Sequence, residues 1–135
     1  MPDRSQDWLR QAKRDLEHAR ESAVNGKHEW ACFAAQQAAE KAVKAFHLSL
    51  GQEAWGHMVS KLIQELPEGI DLPAELLDKA RILDNSYIPA RYPNGHPEGS
   101  PFEYFGSKQS KEAIAYAGEI VEFVNNEMAK QKGCN

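Results

Sequence analysis

A chain of 135 residues that is 41% hydrophobic and 27% charged is neither intrinsically disordered nor too short to bury one core without disulfides. Its formal net charge of −4 excludes a dedicated duplex-DNA binder, whose affinity comes from a basic face. It leaves room for a nucleotide or a short single strand held by one well-placed arginine. No apolar run approaches the roughly 20 residues of a membrane span.

The opening MPDRSQDWLR has charges of both signs and no apolar stretch, unlike a secretory signal. Two cysteines as far apart as Cys32 and Cys134 fit reduced thiols rather than a disulfide framework, so a cytoplasmic location is expected. In the first helix, Trp8, Ala12, Leu16, Ala19 and Ala23 recur at steps of four and three and make one apolar stripe. Ser5 is the expected N-cap, and Asn25-Gly26 the expected stop.

The second helix, from about His28 to Leu50, carries a small-residue face of Ala31, Ala34, Ala35, Ala38, Ala42, Ala45 and Ser49. Trp30, Phe33, Val43, Phe46 and Leu50 add bulk at the sides. A helix apolar around so much of its circumference is central to a bundle or part of a dimer interface. Gly51 closes it. Its remaining polar residues are Gln36, Gln37, Glu40, Lys41 and Lys44; Glu40 and Lys44 have the spacing of an ion pair, and the two lysines are expected to solvate the helix. His18 and His47 read as exposed polar-face residues.

A short third helix covers roughly Met58 to Leu66 and stops at Pro67. A fourth begins near Pro73, a good first-turn residue, and carries Leu76, Leu77, Ala80, Leu83 and, at its end, Tyr87. The last begins after Ser107 with Ala113, Ile114, Ala117, Ile120, Val121, Val124 and Met128 on its apolar side, and the tail from residue 130 to 135 is expected to fray. The expected fold is therefore all-α: one domain, an up-and-down bundle of four main helices plus one short helix, with a long Pro- and aromatic-rich loop before the last helix.

That loop, SYIPARYPNGHPEGSPFEYF, holds Pro89, Pro93, Pro97 and Pro101 at a step of four, together with Tyr87, Tyr92, Phe102, Tyr104 and Phe105. Long loops without secondary structure are uncommon inside compact domains and tend to be functional or disordered. Aromatic side chains need something to pack on, so an ordered strap across the bundle is expected.

Three features taken in order, the run AAQQAAEKAVKAF (Ala34 to Phe46), the His57-led short helix with Leu62, and Tyr87-x-x-x-Arg91-Tyr92-Pro93, resemble the HEPN family, the "higher eukaryotes and prokaryotes nucleotide-binding" domain. The likeness spans Trp8 to Phe123. It implies a helical bundle that dimerises, and either a partnership with a small nucleotidyltransferase, as in toxin–antitoxin pairs, or a metal-independent RNase site of the form Arg-x4-6-His. Arg91 and His96 satisfy that spacing. The family's toxin members carry a tyrosine two places after the histidine, where this chain has Glu98.

Arg91 and His96 are thus the candidate catalytic pair: an imidazole can move a proton near neutrality and a guanidinium can hold two phosphate oxygens, with a two-fold dimer bringing two such pairs into one cleft. The plainer alternative is that Arg91 holds the strap through backbone carbonyls or a carboxylate while His96 sits in a turn. Arg91 with Tyr87, Tyr92 and Tyr104 is the candidate nucleotide-binding set, since rings stack bases; core and strap packing is the competing role. His57 reads as a cap or packing residue. His28 and Cys32 lie one helical turn apart but lack a second pair of ligands, so no metal and no cofactor are expected. The expected partners are a second copy of the chain, a nucleotidyltransferase, and a nucleotide or RNA. A non-catalytic binding module is favoured over a nuclease, and a simple helical dimer is the third reading.

Overall fold

The computed structural model describes residues 3–133. Five α-helices make up the bundle: α1 (Ser5–Val24), α2 (His28–Ser49), α3 (Val59–Gln64), α4 (Leu76–Asp84) and α5 (Ser107–Gly133). No strand occurs among the described residues. No helix there is long and apolar enough to cross a membrane.

The alanine face decides the arrangement. Ala35, Ala38, Ala39, Ala42 and Ala45 of α2 are wholly buried, and side chains this small let neighbouring helices come close. Helix α2 accordingly packs against both α1 and α5, while α3 and α4 pair with each other and pack against α2, α4 also meeting α5. Leu9, Ala12, Leu16 and Ala19 of α1 meet it on one side, and Ala113, Ala117, Ile120, Val121, Val124 and Met128 of α5 on the other.

Helices α1 and α2 end in the same way. The Lys27 amide bonds to Ser22 O at 2.8 Å and Gly26 N to Ala23 O at 3.1 Å; Gln52 N bonds to His47 O at 2.9 Å and Gly51 N to Leu48 O at 3.0 Å. This paired pattern requires a left-handed residue, which Gly26 (φ 76°) and Gly51 (φ 77°) provide.

Several expectations change. Ser5 is not the cap: it is the buried first residue of α1, and its amide is met by the Asp3 carboxylate at 2.8 Å. Helix α4 starts at Leu76 rather than near Pro73, because Glu75 takes a left-handed conformation (φ 68°) that separates the Pro73 turn from the helix. It ends at Asp84, leaving Tyr87 in the turns that follow. Helix α5 runs to Gly133; of the tail expected to fray, Cys134 and Asn135 lie outside the described residues. His47 is 2% exposed instead of solvated. Its Nε2 donates to Leu62 O at 2.8 Å and its Nδ1 pairs with the Gln52 side chain at 3.2 Å, so a polar ring joins α2 to α3 with its hydrogen-bonding capacity used.

Candidate functional site

The segment from Tyr87 to Phe105 is an ordered strap built of consecutive turns. Arg91 N and Tyr92 N both bond to Ile88 O, at 3.0 and 3.1 Å. Two short 3-10 turns follow, Pro93–Gly95 and Pro101–Glu103, each opened by a proline whose fixed φ suits a first position. Ser100 and Glu103 close the second with reciprocal capping bonds. Gly95 lies so close beneath Pro89 that an added Cβ would meet its Cα at 3.0 Å.

Arg91 is half-buried. Its Nε donates to Tyr87 O at 2.8 Å, and its guanidinium carbon lies 4.4 Å from the Phe33 ring centre, 4.6 Å from Tyr87 and 5.0 Å from Tyr92. Three ring faces hold the charge by cation–π attraction and fix the plane of the fork. Among the described residues no carboxylate forms an ion pair with Arg91, and its two terminal nitrogens have no protein hydrogen-bond partner. An arginine so held, with both outer nitrogens uncommitted, suits bidentate contact with a phosphate.

Beside it lies a second set of groups. The His57 ring stacks on Tyr87 at 4.8 Å with 14° between planes. His57 Nδ1 faces Glu40 Oε2 at 3.2 Å. The Glu40 side chain is 5% exposed, and its charge is met by Lys44 at 3.1 Å and by the side-chain amides of Gln36 and Gln37 at 3.2 and 3.3 Å. Gln36 also donates to His57 O at 2.8 Å. The Glu40–Lys44 pair is thus formed as its spacing indicates, yet buried. Lys44 and Lys41 do more than solvate α2, for Lys41 bridges to Asp15 of α1 at 2.6 Å.

His96 and Tyr104 form a separate group. Their rings stack at 4.0 Å and 12°, with Phe105 edge-on to His96 at 6.2 Å. His96 Nε2 donates to Pro89 O at 2.7 Å, and the Tyr104 hydroxyl donates to Glu98 O. The structure therefore joins Arg91, Tyr87 and Tyr92 at one point and gathers His96 and Tyr104 in a separate stack that is tied to Pro89. Phe33 and His57 belong to the Arg91 group, although sequence reasoning placed neither there. The available signal was polar: Gln36, Gln37, Glu40 and Lys44 interrupt an otherwise apolar helix.

His28 and Cys32 do not converge on a metal-binding cluster. His28 Nδ1 meets Ser110 Oγ at 2.8 Å, while Cys32 is buried. Burial, with smaller contributions from Glu29 and Glu112, pushes its thiol up to about 12. Among the described residues no group of three or more His, Cys, Asp or Glu is placed to hold a metal ion.

Comparison with known proteins gives a consistent picture. The HEPN domain family model matches residues 5–127. The crystal structure of TT1696 from Thermus thermophilus is 46% identical over 93% of this chain and 98% of its own, with a TM-score of 0.90. ST0689, an archaeal HEPN homologue, is 41% identical over 94% and 99%, with a TM-score of 0.80. A HEPN domain protein of Thermotoga maritima is 36% identical over 91% and 98%, with a TM-score of 0.75. No curated protein matches the sequence.

Proposed function

The chain belongs to the HEPN domain family, and from that premise we propose that it is a nucleotide-binding module of the cytoplasm, working as a homodimer with a small nucleotidyltransferase partner. One observation carries the nucleotide reading: Arg91 is fixed by three rings and one carbonyl while its outer nitrogens stay uncommitted. The phosphate meets the Arg91 fork, and the half-exposed Tyr92 ring offers a face on which a base stacks.

Metal-independent RNA cleavage by Arg91 and His96 is the less favoured reading. His96 Nε2 is already bonded to Pro89 O and its ring is covered by Tyr104, which suits strap-building better than proton transfer. Calorimetric titration with adenosine monophosphate tests the favoured one: Arg91→Ala is expected to weaken binding by about tenfold or more, the value of one charge-assisted pair. Unchanged affinity would refute it. Sedimentation at micromolar concentration and co-purification with a nucleotidyltransferase encoded beside the gene test the dimer and the partner.

A further inference from the structure

The Arg91 group contains two further polar ends that the protein itself leaves uncommitted. Tyr87 presents its ring to Arg91 at 4.6 Å and to His57 at 4.8 Å. Its hydroxyl, like His57 Nε2, has no hydrogen-bond partner among the described residues. His57 is half-exposed, its side chain 55% accessible, while the carboxylate behind it is buried. A carboxylate at Nδ1 fixes the tautomer and orientation of an imidazole and turns Nε2 outward. That carboxylate is in turn neutralised by Lys44 and held by two glutamine amides. Such support exceeds what a capping or packing histidine needs.

We propose that His57, positioned by Glu40, is the second phosphate ligand of the Arg91 site, and that the site therefore selects a phosphate monoester over a diester. The inference rests on the reading of Arg91 as the phosphate anchor. Its chemical basis is the proton. A monoester has an oxygen that titrates near pH 6 and carries close to two negative charges at neutrality; a diester has one charge and no titratable oxygen. With Nδ1–H directed at Glu40, Nε2 can bond to a phosphate oxygen only when a proton lies between them. A monoester and an imidazole share one whichever of the two carries it, whereas a diester brings no proton and, with a single charge, holds a protonated imidazole less strongly.

The charge balance points the same way. Lys44 cancels Glu40, so the charges of α2 that His57 meets sum to nothing, and on the strap side its ring lies against Tyr87, the ring that also holds the permanent charge of Arg91. A proton on His57 raises the local charge from one to two, matching a dianion. The ligand class is thus a phosphate monoester, with a nucleoside monophosphate as its simplest form, whose phosphate is shared by Arg91 and His57.

Calorimetry with adenosine 5′-monophosphate and with adenosine 3′,5′-cyclic monophosphate tests this, because the two share base and sugar and differ in the phosphate. The wild-type chain is expected to bind the monoester about tenfold more tightly, the value of one charge-assisted hydrogen bond. His57→Asn is expected to abolish that preference by weakening the monoester far more than the cyclic nucleotide, and Glu40→Gln to reduce it. His57→Asn, at an exposed position, is checked for folding by its melting temperature; the His57 ring resonances of the wild type, followed through the monoester titration, give a readout free of any folding change. A wild type without preference, a preference surviving His57→Asn, or unmoved His57 resonances overturns the proposal. Failure of Arg91→Ala to weaken either nucleotide would instead bring down the reading of Arg91 on which it rests.

Discussion

The carboxylate of Asp84, the last residue of α4, accepts the backbone amide of Val59, the first residue of α3, at 2.6 Å. It also accepts the Ser60 amide at 3.2 Å and the Ser60 hydroxyl. A helix start leaves amide groups without partners, and here a distant residue supplies what a local cap ordinarily would. The same contact fixes where the chain turns into α3, two residues after His57. Asp84→Ala is expected to cost about 1–2 kcal/mol, the usual value of a lost N-terminal cap, and Asp84→Asn less, since an amide oxygen still accepts. Urea unfolding should show the midpoint falling in that order with an unchanged slope.

His47 tests a different kind of tie. It is buried and joins α2 to the Leu62 carbonyl of α3 at 2.8 Å. His47→Leu keeps much of the volume but leaves that carbonyl without its donor, at an expected cost of about 1–3 kcal/mol. His47→Gln, which can still donate, should lose less. Equal midpoints for wild type and His47→Leu in chemical denaturation would show that the bond contributes nothing net.

These two residues also mark where sequence stops being informative. Helices α1, α2 and α5 are legible because apolar side chains repeat at the helical period, and the ends of α1 and α2 are legible because glycine stands where a left-handed residue is needed. The i,i+4 spacing of Glu40 and Lys44 announces their pairing. Periodicity cannot show that His47 or Gln36 is enclosed, since enclosure depends on which elements fold over them. Nor can it show that Glu75 rather than Pro73 sets the start of α4, because a left-handed backbone is rare for glutamate. In the candidate site, Arg91, Tyr87 and Tyr92 are close in the chain and legible together. Phe33, Glu40 and His57 join them only through tertiary packing, and the same packing takes Tyr104 away to His96.

The strap's stiffness has its own test. Gly95 does not use a left-handed backbone; it is needed for space, with Pro89 Cα only 3.0 Å from where a Cβ would stand. Both positions are fixed to the backbone and have little freedom to move. Gly95→Ala is expected to displace the Pro93–Gly95 turn from Pro89 and to destabilise the chain by about 1–3 kcal/mol, the range for overpacking. Because His96 bonds to Pro89 O and stacks on Tyr104, its ring protons should lose the ring-current shift from Tyr104. Unchanged His96 resonances and melting temperature would show that the strap yields without cost.

Cys32 offers the most direct probe of the core. It is 1% exposed, and its thiol is pushed from an ordinary 9.0 up to about 12, chiefly by burial and then by Glu29 and Glu112. Only a thiolate reacts readily, so at pH 8 the native chain should alkylate at Cys32 about 100-fold or more slowly than the unfolded chain, at a rate set by opening of the fold. The measurement uses a Cys134→Ser background so that iodoacetamide reads one thiol. Stability should follow with a definite sign. Between pH 9 and about 12 the unfolded thiol releases its proton while the native one keeps it, so the native state binds more protons and stability falls as pH rises. Cys32→Ala should flatten that alkaline slope relative to the Cys134→Ser parent. Rapid native labelling at pH 8, or an alkaline slope unaffected by Cys32→Ala, would contradict a thiol held neutral by its burial in α2.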